Sequence, residues 1–211
     1  MQQAFQVARG PWSFCARHEG RGLLRLRGRS LLSRRRTQYL ADNILHVLFD
    51  AFDGGVRNLW KKAADEGMVV NALIHHENTE NLSRMLGDFT SLRVVLDHCM
   101  YPEIGPHYDA ILNAVLRLAH FKNLHAKLTF VPMGSKQKYP CADVHDAVMK
   151  IAEAFGADRC VWGSDFPSEL WTPGISYSQH LQIFLNDIPF ADQARQKILG
   201  LTAKKLWFPE L

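Results

Sequence analysis

Residues 159–167 read Arg-Cys-Val-Trp-Gly-Ser-Asp-Phe-Pro: the apolar run Cys160, Val161 and Trp162 is stopped by Gly163 and delivers Asp165 two residues before Pro167. A short continuous apolar run bounded by turn residues is the pattern of a strand buried on both faces, as in a parallel sheet. In α/β folds the carboxyl ends of such strands are where the chemistry is placed, so Asp165 is a candidate base or metal ligand. An Asp after a strand also caps helices, and the stretch alone leaves that alternative open.

Working outward, Leu92-Arg93-Val94-Val95-Leu96-Asp97-His98 has the same build, a branched apolar strand ending in Asp-His. His98 can ligate a metal or shuttle a proton, and Asp97 can accept a hydrogen bond from backbone or from another ring. A buried, satisfied pair is the plain alternative, but two strand ends of one type favour convergence on a site. Leu124 to Thr129 reads as another strand. Within it Lys127 either supplies a group to the site or runs its stem out to the strand end, because a lysine between Ala126 and Leu128 must find a partner. Met68 to Ile74 reads as the fourth, followed directly by His75 and His76, a pair of the kind that often just opens a solvated turn.

Helical patterns alternate with these strands, which predicts repeated βα units and a parallel sheet. Residues 56–66 place Leu59, Trp60 and Ala63 on one face, with Gly67 as the C-terminal stop. Residues 81–86 are helical, and 109–121 carry the stripe Ile111, Leu112, Val115, Leu116 and Ala119. Further helices are expected over 144–155, 178–185 and 191–199, with a closing segment at 204–208. Residues 132–141 read as a polar loop that could lie over the site.

The chain has 211 residues, 47% of them apolar, enough for a proper core, and no run approaches the roughly 18 to 20 apolar residues of a membrane span. Cys15, Cys99, Cys141 and Cys160 show no paired spacing, which argues against a zinc ribbon or a disulfide framework and for a reducing, cytoplasmic compartment. The net charge of +4 is misleading: nine arginines fall in residues 1–36, where Glu19 is the only acid, leaving 16 basic against 20 acidic side chains elsewhere. The body therefore has no electrostatic call for nucleic acid. The Arg-rich segment resembles an organellar transit peptide in composition, or a stretch of sequence foreign to the fold.

With the strand ends in view, the chain resembles the amidohydrolase superfamily, in particular the amidohydrolase-related branch of lactonases and decarboxylases. The resemblance covers about residues 53–211. Its carriers are Leu59-Trp60-Lys61-Lys62-Ala63-Ala64 with Gly67, Val94 to His98, Asn123 to Thr129, and Gly156-Ala157-Asp158-Arg159 running into Gly163 to Pro167. It implies an α/β fold, a partial (β/α)8 TIM-type barrel of about strands five to eight, preceded by an atypical basic segment, residues 1–52. By the same resemblance Asp165 takes the proton of the attacking water and contacts a metal, His98 orients metal or substrate, and His75 is a third metal ligand. Lys127 and His76 are then substrate-binding candidates.

The implied reaction is water attack on a lactone, or another ester or amide, of a small polar substrate. It uses one divalent metal, zinc first, or none, with His98 and Lys127 then stabilising the oxyanion. Decarboxylation is the alternative chemistry. Members of the family open with a strand ending in His-x-His, and residues 1–52 contain only the isolated His18 and His46. Strands one to four also need roughly 100 residues or more. A second expectation is therefore a catalytically silent half-barrel that pairs with another copy or chain through exposed sheet edges.

Overall fold

The computed structural model describes residues 54–167, 170 and 172–209; the basic segment, with its transit-peptide reading, Cys15 and the isolated His18 and His46, lies outside the described residues. Helix α1 (Gly54–Asp65) buries Val56, Trp60 and Ala63 at helical spacing and shows solvent the i,i+4 pairs Lys61–Asp65 and Lys62–Glu66. Gly67, at φ +66°, turns the chain out of the helix in the left-handed conformation that glycine adopts freely. Strand β1 (Val69–Ala72) follows, then α2 (Thr79–Asp88), β2 (Arg93–Leu96), α3 (Tyr108–Leu118) and β3 (Leu124–Lys127). Residues 132–141, expected as a polar loop, instead open on a single helical turn, α4 (Val131–Gly134). A Cβ on Gly134 would lie 2.5 Å from the Pro102 carbonyl oxygen, so only glycine lets this turn close on the loop after β2.

The chain continues through α5 (His145–Phe155) and β4 (Cys160–Val161) to α6 (Tyr177–Gln182), α7 (Asp192–Gln196) and α8 (Thr202–Trp207). Two π-helical turns, Ile183–Asp187 and Lys197–Leu201, follow α6 and α7. Trp162, read as part of the last strand, leaves the ladder and donates its backbone N–H to the Ile198 carbonyl.

All four strands are parallel, in the order β1-β2-β3-β4. A doubly wound sheet reverses its order at a switch point. Here the order simply follows the chain, and with the right-handed crossovers of parallel strands the helices that connect the strands fall on one face, as in a (β/α)8 barrel. Alternation along the strands separates two layers. Val70, Ala72, Val94, Leu96, Leu124, Ala126 and Cys160 pack with Trp60, Met85, Val115 and Ile151 in the helix-side core. Val69, Val95 and Val161 face the other way and pack on Leu206, with Ala203 and Trp207 beside them. Each fully buried large aliphatic contributes about 1.5–3 kcal/mol.

Polar side chains lock the amino-terminal ends of the strands. Arg159 donates to the carbonyls of Ala119, Phe121 and Leu124 at 2.9–3.2 Å, and Asn123 donates to those of Leu86 and Phe89. Arg93 reaches the Leu206 and Gly67 carbonyls. The Gly-Ala-Asp-Arg and Asn-Leu-His stretches singled out in the sequence thus hold the scaffold at the end opposite Asp165. Among the described residues no helix is long and apolar enough to cross a membrane.

Candidate active site

Three strand ends deliver the polar groups. After β2 the chain enters a run of four consecutive left-handed residues, His98 (φ 50°), Cys99 (φ 48°), Met100 (φ 63°) and Tyr101 (φ 57°). Left-handed backbone is unfavourable for side-chain-bearing residues, and strain of this kind persists where surrounding contacts over-determine it. Here Asp97, His98, Cys99 and Met100 are all buried, and the Cys99 thiol donates to the Lys127 carbonyl at 3.4 Å. The run turns the His98 ring onto Tyr101, stacked at 4.6 Å with 13° between planes. After β4, Asp165 is also left-handed (φ 53°) and keeps 32% of its side chain exposed.

His98 lies between two carboxylates, its Nε2 3.6 Å from Asp97 Oδ1 and 3.8 Å from Asp165 Oδ1. Its Nδ1 shares a 2.9 Å hydrogen bond with Thr129 Oγ1. The Lys127 ammonium sits 2.7 Å from Asp97 Oδ1, an ion pair held by proximity of charge without a well-aligned hydrogen bond at that oxygen. Glycine at 163 is what admits this arrangement: a Cβ there would lie 2.7 Å from Thr129 Cγ2 and 2.9 Å from Lys127 Cε.

The remaining titratable neighbours are kept uncharged. Burial first, and the nearby Asp97 and Asp165 carboxylates second, push the Tyr101 phenol well up. Burial also raises the Cys99 thiol and takes the Cys160 thiol up to about 12, so neither is a thiolate nucleophile at neutral pH. The turn bearing Asp165 rests on aromatic rings: Trp162 meets Tyr177 and His180 edge-on, and Phe166, 72% exposed, meets Tyr177 in the same way. Burial lowers His180 to about 4.

Of the residues singled out in the sequence, Asp165, His98 and Lys127 come together, with Asp97 between them. His75 is exposed and meets the far neighbour Tyr101 at a ring distance of 5.7 Å, and His76 faces His107 at 6.0 Å and Glu77. Thr129 and Tyr101 escaped the sequence reading as site residues. Thr129 lies two residues beyond Lys127, so period-2 alternation could have put it on the same face, whereas nothing local announces the left-handed run that places Tyr101.

A structural zinc takes four protein ligands and a catalytic zinc three, at about 2 Å. Among the described residues no group of three or more His, Cys, Asp and Glu is gathered in this way, and the cation against Asp97 is a lysine ammonium. The described donors by themselves do not make up a zinc ligand set.

Comparison with known proteins gives the likeness its reach. L-fucono-1,5-lactonase of Burkholderia ambifaria is 29% identical over 101 residues, 47% of this chain and 35% of that protein. Among solved structures, an amidohydrolase from Burkholderia multivorans with bound zinc superposes with a TM-score of 0.65 at 18% identity, over 74% of this chain and 58% of that one. A Pseudomonas putida protein, whose name proposes a 2-pyrone-4,6-dicarboxylic acid hydrolase, gives a TM-score of 0.67 at 22% identity over 80% and 62%. The chain thus spans about a third of its curated relative and about three fifths of the solved ones, and the parallel sheet with its helices is part of a TIM-type barrel. A family model described as Amidohydrolase matches residues 23–208, nearly the whole sequence, and this chain belongs to that family.

Proposed function

We propose that the chain carries the strand-end chemistry of a hydrolase that directs water at a lactone, or another ester or amide, of a small polar substrate. The observation that carries this reading is the convergence of Asp165, His98 and Lys127 from three strand ends. Asp165, the partly exposed carboxylate, takes the proton from the attacking water. His98 and the Lys127 ammonium face the oxyanion that develops on the carbonyl, in a setting dry enough for their charge and hydrogen bonds to count. Tyr101, kept as a phenol, supports the His98 ring from behind. His76, on the loop after β1, is the outer candidate for a substrate contact. The similarity to a lactonase supports this class of reaction.

A zinc reading would join His75 to His98 and Asp165. It draws on the zinc bound by the Burkholderia multivorans relative, but the described donors do not gather for it. A catalytically silent half-barrel that pairs with another copy or another chain is the competing reading, for which β1 and β4 stand at the two edges of the described sheet. The deciding experiment is metal content together with hydrolysis of a panel of small lactones by the purified chain, with Asp165→Asn as control. Turnover that disappears in the variant supports the hydrolase reading. An inactive chain that self-associates supports the second.

A further inference from the structure

We infer that Asp97 is the positioning residue of this site: from the end of β2 its carboxylate fixes the Lys127 ammonium at the end of β3 and faces the edge of His98 that looks toward Asp165. The inference builds on the hydrolase reading and adds a residue to which that reading gives no role. Asp97 is almost fully buried, and a buried carboxylate persists only with a partner. Lys127 Nζ, at 2.7 Å, is that partner. Held against Asp97 by charge, the ammonium has N–H donors to offer a substrate oxygen.

The same carboxylate acts on the imidazole. Asp97 and Asp165 flank His98 Nε2 at 3.6 and 3.8 Å, and carboxylates are acceptors only, so their combined field favours the proton on Nε2. Nδ1 is then left to accept the Thr129 hydroxyl hydrogen across 2.9 Å. His98 thereby presents an N–H, rather than a lone pair, to whatever lies between it and Asp165. Removing the Asp97 charge frees Lys127 from its anchor and weakens the bias on the ring.

The test uses the full chain with nitrogen-labelled histidine, reading which nitrogen of His98 carries the proton by long-range proton–nitrogen correlation on the high-pH plateau of its ring shifts. Wild type is expected to show protonated Nε2 and bare Nδ1. Asp97→Asn is expected to shift the tautomers toward Nδ1–H and to lower kcat on an active lactone about 10- to 100-fold with little change in KM, with partial recovery in Asp97→Glu. A bare Nε2 in wild type, or an Asn variant with unchanged tautomer and unchanged kcat, overturns the inference. Should Asp97→Asn not fold, Asp97→Asn/Lys127→Met, which leaves no charge unpaired, takes its place with the His98 tautomer as its readout: a shift toward Nδ1–H is expected, and an unchanged tautomer overturns the inference. A wild-type chain without lactone turnover sinks the hydrolase reading and leaves the tautomer measurement to decide the role of Asp97.

Discussion

At the scale of single residues, the site separates groups that act from groups that make room. Asp165 is partly exposed and meets His98 only at a long 3.8 Å, so Asp165→Asn should lower hydrolysis by about 10²- to 10⁴-fold, the span of a lost acid–base group. Its melting temperature should stay within a degree or two of wild type; a large stability loss would mean that the carboxylate is structural. Gly163 makes room. In Gly163→Ala the new methyl would meet Thr129 Cγ2 and Lys127 Cε at 2.7 and 2.9 Å. Overpacking of this kind costs about 1–3 kcal/mol. Denaturant midpoints and kcat should fall together; a fall in stability alone would show that Lys127 can be rerouted without harm to the site.

At the scale of elements, every strand of the described sheet is short and flanked by helix, and its apolar run was readable as such. The runs at 68–74, 92–98, 124–129 and 160–162 gave the four strands because continuous burial on both faces leaves a local mark in the sequence. Their boundaries were less readable. The ladder ends at Ala72, Leu96, Lys127 and Val161, and the residues beyond it are held by turns whose torsions no period announces. Helix α6 shows how an element supports the site from outside. Ser176 accepts from the Gln179 backbone N–H, and the Gln179 side chain accepts from the Ser176 N–H, a reciprocal capping box. Tyr177 and His180 of this helix lie against Trp162, next to the turn that holds Asp165. Ser176→Ala should therefore cost about 1 kcal/mol of stability in chemical denaturation. If α6 seats that turn, KM should rise in the same variant.

At the scale of the whole molecule, buried histidines tie stability to pH. His180 is fully buried among Trp162 and Phe184, neither ring nitrogen has a well-aligned hydrogen bond among the described residues, and burial lowers it to about 4, with the Ser164 backbone opposing in part. His125, lowered first by burial, acts in the same sense. A depressed histidine binds its proton more readily in the unfolded chain, so stability is complete above the unfolded value of about 6.5 and falls as pH drops toward the folded value. For His180 the loss is roughly 3 kcal/mol by pH 4. Denaturation midpoints between pH 7 and pH 4 should fall less steeply in His180→Phe than in wild type; parallel slopes would place the titration elsewhere. What the sequence by itself determined is the parallel α/β architecture and the polar residues that stand at strand ends, because burial period, turn residues and strand-end position are properties of short stretches; the barrel and the family were implied by the resemblance its motifs carry. What only the tertiary structure decided is who meets whom: that Lys127 pairs with Asp97, that Gly163 clears the way for it, that a left-handed run aims His98 between two carboxylates, and that His75 is left outside their group. Those facts depend on register between strands some thirty residues apart and on backbone torsions set by packing, and neither is written in any single stretch of chain.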